Sequence, residues 1–249
     1  MFLLEPARGG EIMGASNRYR EGEEKEGRRS AKLRIAMMML VDVLRGLDAM
    51  HSAAYIHRDI KPDNIFETTG DPACVERLGC EFVIGDLGLA TKGDMVGGQR
   101  MDYTESHPGT RAFMPPETNP RAWFGLRELL SAPSRWYFAG DVWALGISAL
   151  VLLLNYDAKA VRQIYSVGGL RLLRLNIQTK SYLPQALLDL LLHMTNEDFS
   201  TRPSAAEAVP KAEQLFQELY GSPRPLRTTP EPECLKQLAD WSSTWPEPL

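Results

Sequence analysis

Cysteine is scarce in this sequence of 249 residues, which contains only Cys74, Cys80 and Cys234. Their number is small, their spacing is irregular and none belongs to a CxxC pair, so a disulfide framework is excluded. We expect free or buried thiols in a reducing compartment. An alternative use, a metal site formed by Cys74, Cys80 and a distant histidine, would require thiolate ligands at both positions.

Long apolar runs are also missing. The most apolar segment, Val142 to Leu154, is shorter than the roughly 20 residues that cross a bilayer, and Asp141 and Asp157 lie close on either side of it. It predicts a buried helix. Residues 1–6 have an apolar run too short for a signal peptide and no basic residues before it, so a cytoplasmic, intracellular location is the default expectation.

The sequence lacks a strong charge of either sign. It has 28 Lys and Arg residues against 32 Asp and Glu residues, a formal net charge of −4. This balance gives no electrostatic reason to expect nucleic acid or an anionic membrane as a partner. The length fits one large domain or two small ones with a substantial core, and nothing in the pattern indicates an oligomeric state.

The hydrophobic pattern predicts a mainly α-helical fold with a few short β-strands. Residues 17–34 are highly charged and favour a solvated loop or helix end. Helices are predicted over Ala31–Met50, after Asp141, over Gln185–Thr195 and over Ser204–Tyr220, with short strands at 55–56, 65–66 and 82–84, a long irregular loop at 89–111 and an extended tail with six prolines at 221–249.

The densest cluster of reactive side chains lies in residues 55–66, Tyr-Ile-His-Arg-Asp-Ile-Lys-Pro-Asp-Asn-Ile-Phe. This segment resembles the catalytic loop of serine/threonine protein kinases, in which His-Arg-Asp is followed by an asparagine. The resemblance implies that Asp59 orients the substrate hydroxyl and accepts its proton, that Lys61 neutralises the transferring phosphate, and that Asn64 binds magnesium. ATP and Mg²⁺ are then the expected cofactors, and a protein the expected substrate.

A second motif, Ile84-Gly85-Asp86-Leu87-Gly88, resembles the magnesium-binding Asp-Phe-Gly sequence of kinases, with Leu87 in place of the aromatic residue. Asp86 is the implied metal ligand. Magnesium prefers hard oxygen ligands and keeps several waters, so one carboxylate, one amide oxygen and the nucleotide phosphates form a sensible coordination set. Leu87 is expected to keep the apolar packing role of the residue that it replaces.

Three further segments match the order of kinase motifs: 109–117 (Gly-Thr-Arg-Ala-Phe-Met-Pro-Pro-Glu), 141–146 (Asp-Val-Trp-Ala-Leu-Gly) and 198–204 (Asp-Phe-Ser-Thr-Arg-Pro-Ser). The resemblance implies an ion pair between Glu117 and Arg202. It also implies that Asp141 holds the backbone of the catalytic loop. His57 and Arg58 are structural members of that loop.

The start of the chain, residues 1–11, resembles the last strand of a kinase small lobe followed by the hinge, with 12–220 as the large lobe and 221–249 as the tail. The resemblance implies five nucleotide-binding residues. They are the gatekeeper Leu4, the hinge residues Glu5 and Ala7 at the adenine edge, Phe66 at the adenine floor and Glu11 near the ribose.

Serine/threonine specificity is favoured by Lys61 in the catalytic loop and by Thr110 before the Pro-Pro-Glu sequence. Thr104 and Ser106 lie in the long loop, and Ser106 stands three residues before Gly109. These hydroxyls are candidate phosphorylation sites, with Arg58 as the charge partner of a phosphate at Ser106. Unmodified loop residues remain an equal alternative.

The sequence departs from a complete kinase domain at its beginning. It contains no GxGxxG turn, no Val-Ala-Ile-Lys-like strand and no glutamate-bearing helix to pair with that lysine. We therefore expect a truncated kinase domain with weak or no activity on its own. The alternatives are a non-catalytic scaffold and a small-molecule phosphotransferase of similar fold. Two insertions, 67–80 and 119–137, have no explanation at this level.

Overall fold

The computed structural model describes residues 10–13, 25–92, 109–110, 112–116, 135–154, 176–177, 179–180 and 182–226. Several predicted site residues lie outside these ranges. They are Leu4, Glu5, Ala7, Thr104, Ser106 and Glu117.

The described residues form four α-helices joined by short strands and 3₁₀ turns, so the predicted mainly helical fold is confirmed. The helices are α1 (Lys25–Ser52), α2 (Arg135–Leu154), α3 (Gln185–Met194) and α4 (Ala205–Tyr220). The strands are β1 (Gly10–Glu11), β2 (Tyr55–Ile56), β3 (Ile65–Glu67), β4 (Phe82–Ile84) and β5 (Thr91–Lys92).

Helix α1 is the centre of the fold. Its residues from Ile35 to Val41 are almost completely buried on every side of the helix, which is why the apolar run is continuous. The helix packs against α4, α2 and β4. It begins at Lys25, six residues before the predicted start, because the charged segment continues the helix into solvent.

Helices α2 and α3 complete the core beside α1. From Val142 to Leu153 the side chains of α2 are buried, and α3 packs against them with Leu187 and Leu191. None of the helices in the described part of the chain has the length and apolar character of a membrane span. The burial of the side chains from Val142 to Leu153 confirms the predicted buried helix.

Helix α4 has well-defined ends. Ser204 and Glu207 form a reciprocal capping box at its start, and Gly221 ends it in the left-handed conformation. The backbone N–H and the hydroxyl of Ser204 hold the pKa of the Glu207 carboxyl below its ordinary value. The charged form that caps the helix is therefore the stable form at neutral pH.

Two small antiparallel sheets hold the segment between α1 and α2. One has the order β1-β3-β4, with Phe66 opposite both Glu11 and Val83. The other pairs β2 with β5, so that Ile56 lies opposite Thr91. The loop after β2 and the turn after β4 are thereby placed side by side.

The insertion 67–80 forms a compact turn between β3 and β4. The buried carboxylate of Glu67 accepts hydrogen bonds from the backbone N–H of Thr69 (2.6 Å) and of Gly70 (3.0 Å). Asp71 caps the 3₁₀ turn Pro72–Cys74 by accepting from the N–H of Ala73. This network explains why the insertion is ordered.

The expectation of free thiols is wrong for two of the three cysteines. Cys74 and Cys80 form a disulfide across the insertion, and both are buried. The 3₁₀ turn beginning at Pro72 folds the chain back on itself, which brings two thiols six residues apart into contact. The same bond rules out the alternative of a metal site that uses both thiolates.

Reducing this disulfide is expected to lower the free energy of unfolding by about 2 kcal/mol, because the short loop that it closes gains freedom in the unfolded chain. Urea unfolding with and without reductant measures the change. Thiol titration in denaturant should give two fewer thiols before reduction than after it. An equal number of thiols before and after reduction would contradict the presence of the disulfide.

Candidate active site

The loop between β2 and β3 brings three predicted site residues into direct contact. Lys61 Nζ donates to Asp59 Oδ2 at 2.7 Å, and Asn64 Nδ2 donates to the carbonyl of Asp59 at 2.9 Å and to its Oδ2 at 3.2 Å. The side chains of Asp59 and Lys61 are 7% and 19% exposed. A carboxylate and an ammonium group are thus held together in a partly desolvated site, where their charges act more strongly than in water.

Thr110 joins this cluster from a distant part of the chain. Its backbone N–H donates to Asp59 Oδ1 at 2.7 Å, and its hydroxyl accepts from Lys61 Nζ at 2.9 Å. Gly109 makes the approach possible, because a β-carbon there would lie 2.5 Å from the carbonyl oxygen of Arg58 and its φ is +120°. Only glycine fits this position without displacing the loop.

Asp141, near the start of α2, holds the catalytic loop by its backbone. Its Oδ2 accepts from the N–H of His57 at 2.8 Å and its Oδ1 from the N–H of Arg58 at 2.9 Å. His51 Nε2 lies 3.0 Å from Oδ2. The carboxylate is 2% exposed, and these donors compensate for its burial.

His57 connects the catalytic loop to the turn after β4. Its Nε2 lies 3.0 Å from the carbonyl oxygen of Gly85, and its Nδ1 lies 3.3 Å from the N–H of Asp59. Since a carbonyl only accepts and a backbone N–H only donates, these contacts require the tautomer with the proton on Nε2. The N–H of Gly85 also donates to the carbonyl of Asn64 at 2.9 Å.

Arg58 and Asp86 both adopt the left-handed backbone conformation, with φ of +69° and +54°. Such conformations cost about 1–3 kcal/mol in a residue other than glycine and cluster at functional sites. Arg58 is held there by Asp141 and by the donation from its Nε to the carbonyl of Leu89 at 2.6 Å. In Asp86 the side chain accepts from the N–H of Gly88 at 3.2 Å.

The donor atoms of Asp86 and Asn64 fit a magnesium ion. The Asp86 carboxylate is exposed at the end of β4, and Asn64 uses its Nδ2 for the contacts with Asp59, which leaves its amide oxygen as the atom for a cation. Among the described residues no group of three or more His, Cys, Asp or Glu side chains could hold a metal ion by itself. A site with two protein oxygens suits magnesium, which keeps waters and phosphate oxygens as its other ligands.

The remaining described site residues lie in β1, in β3, in the turn after β4 and in the loop before α4. Phe66 of β3 is half-buried opposite Glu11, so two of the five predicted nucleotide-binding residues are neighbours. Leu87 is partly buried against the core. Arg202 is 6% exposed, and its guanidinium lies 4.7 Å from the centre of the Trp143 ring.

Sequence reasoning missed two of the groups that complete this arrangement. His51 had no signal, because it lies in the last turn of α1 and meets Asp141 only through the packing of α1 against α2. Thr110 was considered only as a mark of specificity, although it binds both Asp59 and Lys61. In both cases the contact joins residues about fifty or more positions apart.

The comparisons with known proteins agree with this geometry. The model of the protein kinase domain family matches residues 1–213. CBL-interacting serine/threonine-protein kinase 2 of Arabidopsis thaliana is 23% identical over 211 residues, which is 83% of this chain and 38% of that protein. 3-phosphoinositide-dependent protein kinase 1 of the same plant is 25% identical over 204 residues, 82% of this chain and 36% of that protein.

A third relative is the eukaryotic translation initiation factor 2-alpha kinase pek-1 of Caenorhabditis elegans. It is 29% identical over 175 residues, 65% of this chain and 14% of the relative. The match therefore spans well under half the length of each of these relatives. Since the family model covers most of the sequence and the catalytic-loop contacts follow its motifs, the chain belongs to the protein kinase domain family.

Proposed function

We propose that residues 12–220 are the large lobe of a kinase that transfers the γ-phosphate of ATP to serine and threonine hydroxyls of proteins. The observation that carries the proposal is the contact of Asp59 with Lys61, Asn64 and Thr110. Phosphoryl transfer needs positioning and charge neutralisation, and this cluster holds a base and a cation side by side.

Each residue has a distinct role in this proposal. Oδ1 of Asp59 accepts one hydrogen bond from the described residues and so keeps a lone pair for the substrate hydroxyl, whose proton it takes. Lys61 stabilises the charge on the transferred phosphate. Asp86 and Asn64 hold magnesium, which when bound neutralises the phosphate oxygens.

Serine/threonine specificity is supported by the hydrogen bond between Lys61 and Thr110. These are the two residues by which the sequence resembles serine/threonine kinases. One of the relatives fits it as well, because it is named a CBL-interacting serine/threonine-protein kinase. The gatekeeper Leu4 and the hinge residues Glu5 and Ala7, with Glu11 and Phe66, are proposed to hold the nucleotide. Thr104 and Ser106 are proposed phosphorylation sites, and a phosphate on Ser106 is proposed to pair with Arg58.

A polypeptide of these 249 residues contains no Gly-rich loop and no equivalent of the small-lobe lysine. We therefore propose that it binds ATP weakly and transfers phosphate below detection unless a small lobe is supplied. The catalytic residues act only on a γ-phosphate that is already held in line, and these missing parts normally hold it.

Fusing a kinase small lobe ahead of Phe2 tests the proposed function. ATP binding and transfer of radiolabel from ATP to a mixed set of peptides are measured, followed by identification of the phosphorylated amino acid. Phosphoserine and phosphothreonine are expected from the fusion and not from the 249-residue chain. A folded fusion that binds ATP and phosphorylates no peptide or protein would favour a scaffold, while rapid turnover by the unfused chain would contradict the need for a small lobe.

A further inference from the structure

Arg224, four residues beyond the end of α4, is 5% exposed although it follows the last helix of the described fold. Its Nε donates to Asp42 Oδ1 at 3.0 Å and its Nη2 to Asp42 Oδ2 at 2.5 Å. Its Nη1 donates to the carbonyl of Leu78 at 2.7 Å, and its Nη2 also donates to the carbonyl of Cys80. We name residues 221–226 the C-terminal strap.

The strap is held on α1 by a second arginine. Arg45 donates to the carbonyl of Arg224 at 3.1 Å and to that of Pro225 at 2.9 Å, and its Nε donates to Glu213 of α4 at 2.8 Å. The strap thus lies along α1 beside the insertion 67–80. Guanidinium groups suit this position because they donate in several directions within one plane.

Asp42 links the strap to the strand that leads to the metal motif. Its Oδ2, which accepts from Arg224, also accepts from the N–H of Phe82 at 3.1 Å. Phe82 is the first residue of β4. One carboxylate therefore fixes both the guanidinium of Arg224 and the start of a three-residue strand.

The other end of this strand is fixed by the catalytic loop. Gly85 bonds to Asn64 and to His57, and Asp86 follows directly. Within the described part of the chain β4 pairs only with β3, and its buried side chains pack on α1. The polar contacts at its two ends fix its position along these neighbours.

We propose that Arg224 and Asp42 are positioning residues, which set the start of β4 and through it the place of Asp86. This inference rests on the proposed function, in which Asp86 holds magnesium. Without Arg224 the Asp42 carboxylate and two carbonyl oxygens lose a buried charged donor. The insertion and β4 then open more often, and Asp86 is presented less accurately.

Amide hydrogen exchange of the 249-residue chain tests the proposal without requiring activity. In Arg224→Ala the exchange of Phe82 to Asp86 is expected to rise about tenfold, while that of α3 stays unchanged. Arg224→Lys should show a smaller rise, because lysine keeps the positive charge but lacks the planar guanidinium that donates to Asp42 and to the two carbonyl oxygens together. Arg34→Ala is the matched control, since Arg34 also joins α1 to the insertion, through Glu76, and does not touch Asp42.

A rise that is uniform over all four helices, a rise of the same size in Arg34→Ala, or no rise in β4 would overturn the positioning role. The same variants in the small-lobe fusion give a second readout. Arg224→Ala should raise the Mg²⁺ concentration for half-maximal rate about tenfold and leave the KM for the peptide unchanged. An equal effect on the KM for the peptide would also overturn the positioning role.

If the wild-type fusion is inactive, the proposed function fails, and hydrogen exchange still decides the role of Arg224.

Discussion

Asp59→Asn in the small-lobe fusion is expected to lower kcat by about 10²–10⁴-fold, the usual contribution of a positioned general base. Asparagine has nearly the same shape, so it can keep the hydrogen bond from the N–H of Thr110. It cannot accept a proton from the substrate. Its amide group would also place a donor, or a neutral oxygen, opposite Lys61 Nζ, which now lies 2.7 Å from a carboxylate oxygen.

Asp63→Asn is the matched control for this prediction. Asp63 lies four residues along the same loop, is exposed, and loses the same charge in the variant. Steady-state kinetics with ATP and a peptide substrate should show normal kcat for Asp63→Asn and little change in the KM for ATP in Asp59→Asn. Equal losses in the two variants would mean that the charge of the loop matters and the position of Asp59 does not.

Arg202→Ala is expected to lower the free energy of unfolding by about 3–5 kcal/mol, the cost of removing one partner of a buried ion pair, here the one proposed with Glu117. The guanidinium donates to the carbonyls of Asn196 (2.6 Å), Ala139 (3.4 Å) and Glu197 (3.4 Å). It also covers the face of Trp143. These contacts join the start of α2 to the loop before α4, so their loss separates two parts of the core.

Urea unfolding followed by circular dichroism measures this change. Arg77→Ala is the control, because its ion pair with Asp71 is exposed and should contribute at most about 1 kcal/mol. A double-mutant cycle of Arg202→Ala with Glu117→Gln then tests the proposed ion pair of these two residues. A thermal midpoint for Arg202→Ala within about two degrees of the wild type would contradict the predicted role of Arg202.

The helices were predictable because their signals are local. Apolar residues at helical spacing predicted α1 to within six residues at its start and two at its end, and the predicted helix Ser204–Tyr220 contains the whole of α4. The catalytic loop was predictable for a similar reason. Asp59, Lys61 and Asn64 lie within six consecutive positions, so their proximity follows from one short segment of the chain.

The contacts between distant segments could not be predicted from the sequence. The disulfide of Cys74 with Cys80 depended on the path of an insertion, and composition favoured free thiols. The contact of Thr110 with Asp59 and that of Arg224 with Asp42 join residues 51 and 182 positions apart. No periodicity encodes such pairs, because a side chain's distant partner is set by how the helices pack.

The sequence by itself determined the family of this protein, because the residues proposed as base, cation and magnesium ligands stand in short motifs whose order is characteristic of protein kinases. Tertiary structure alone decided how those groups are held. The packing of α1 against α2 brings His51 to Asp141, and the packing of the C-terminal strap on α1 places Arg224 at the start of β4. The motifs consist of residues close together in the sequence, whereas the hydrogen-bond partners of buried polar groups often come from distant segments.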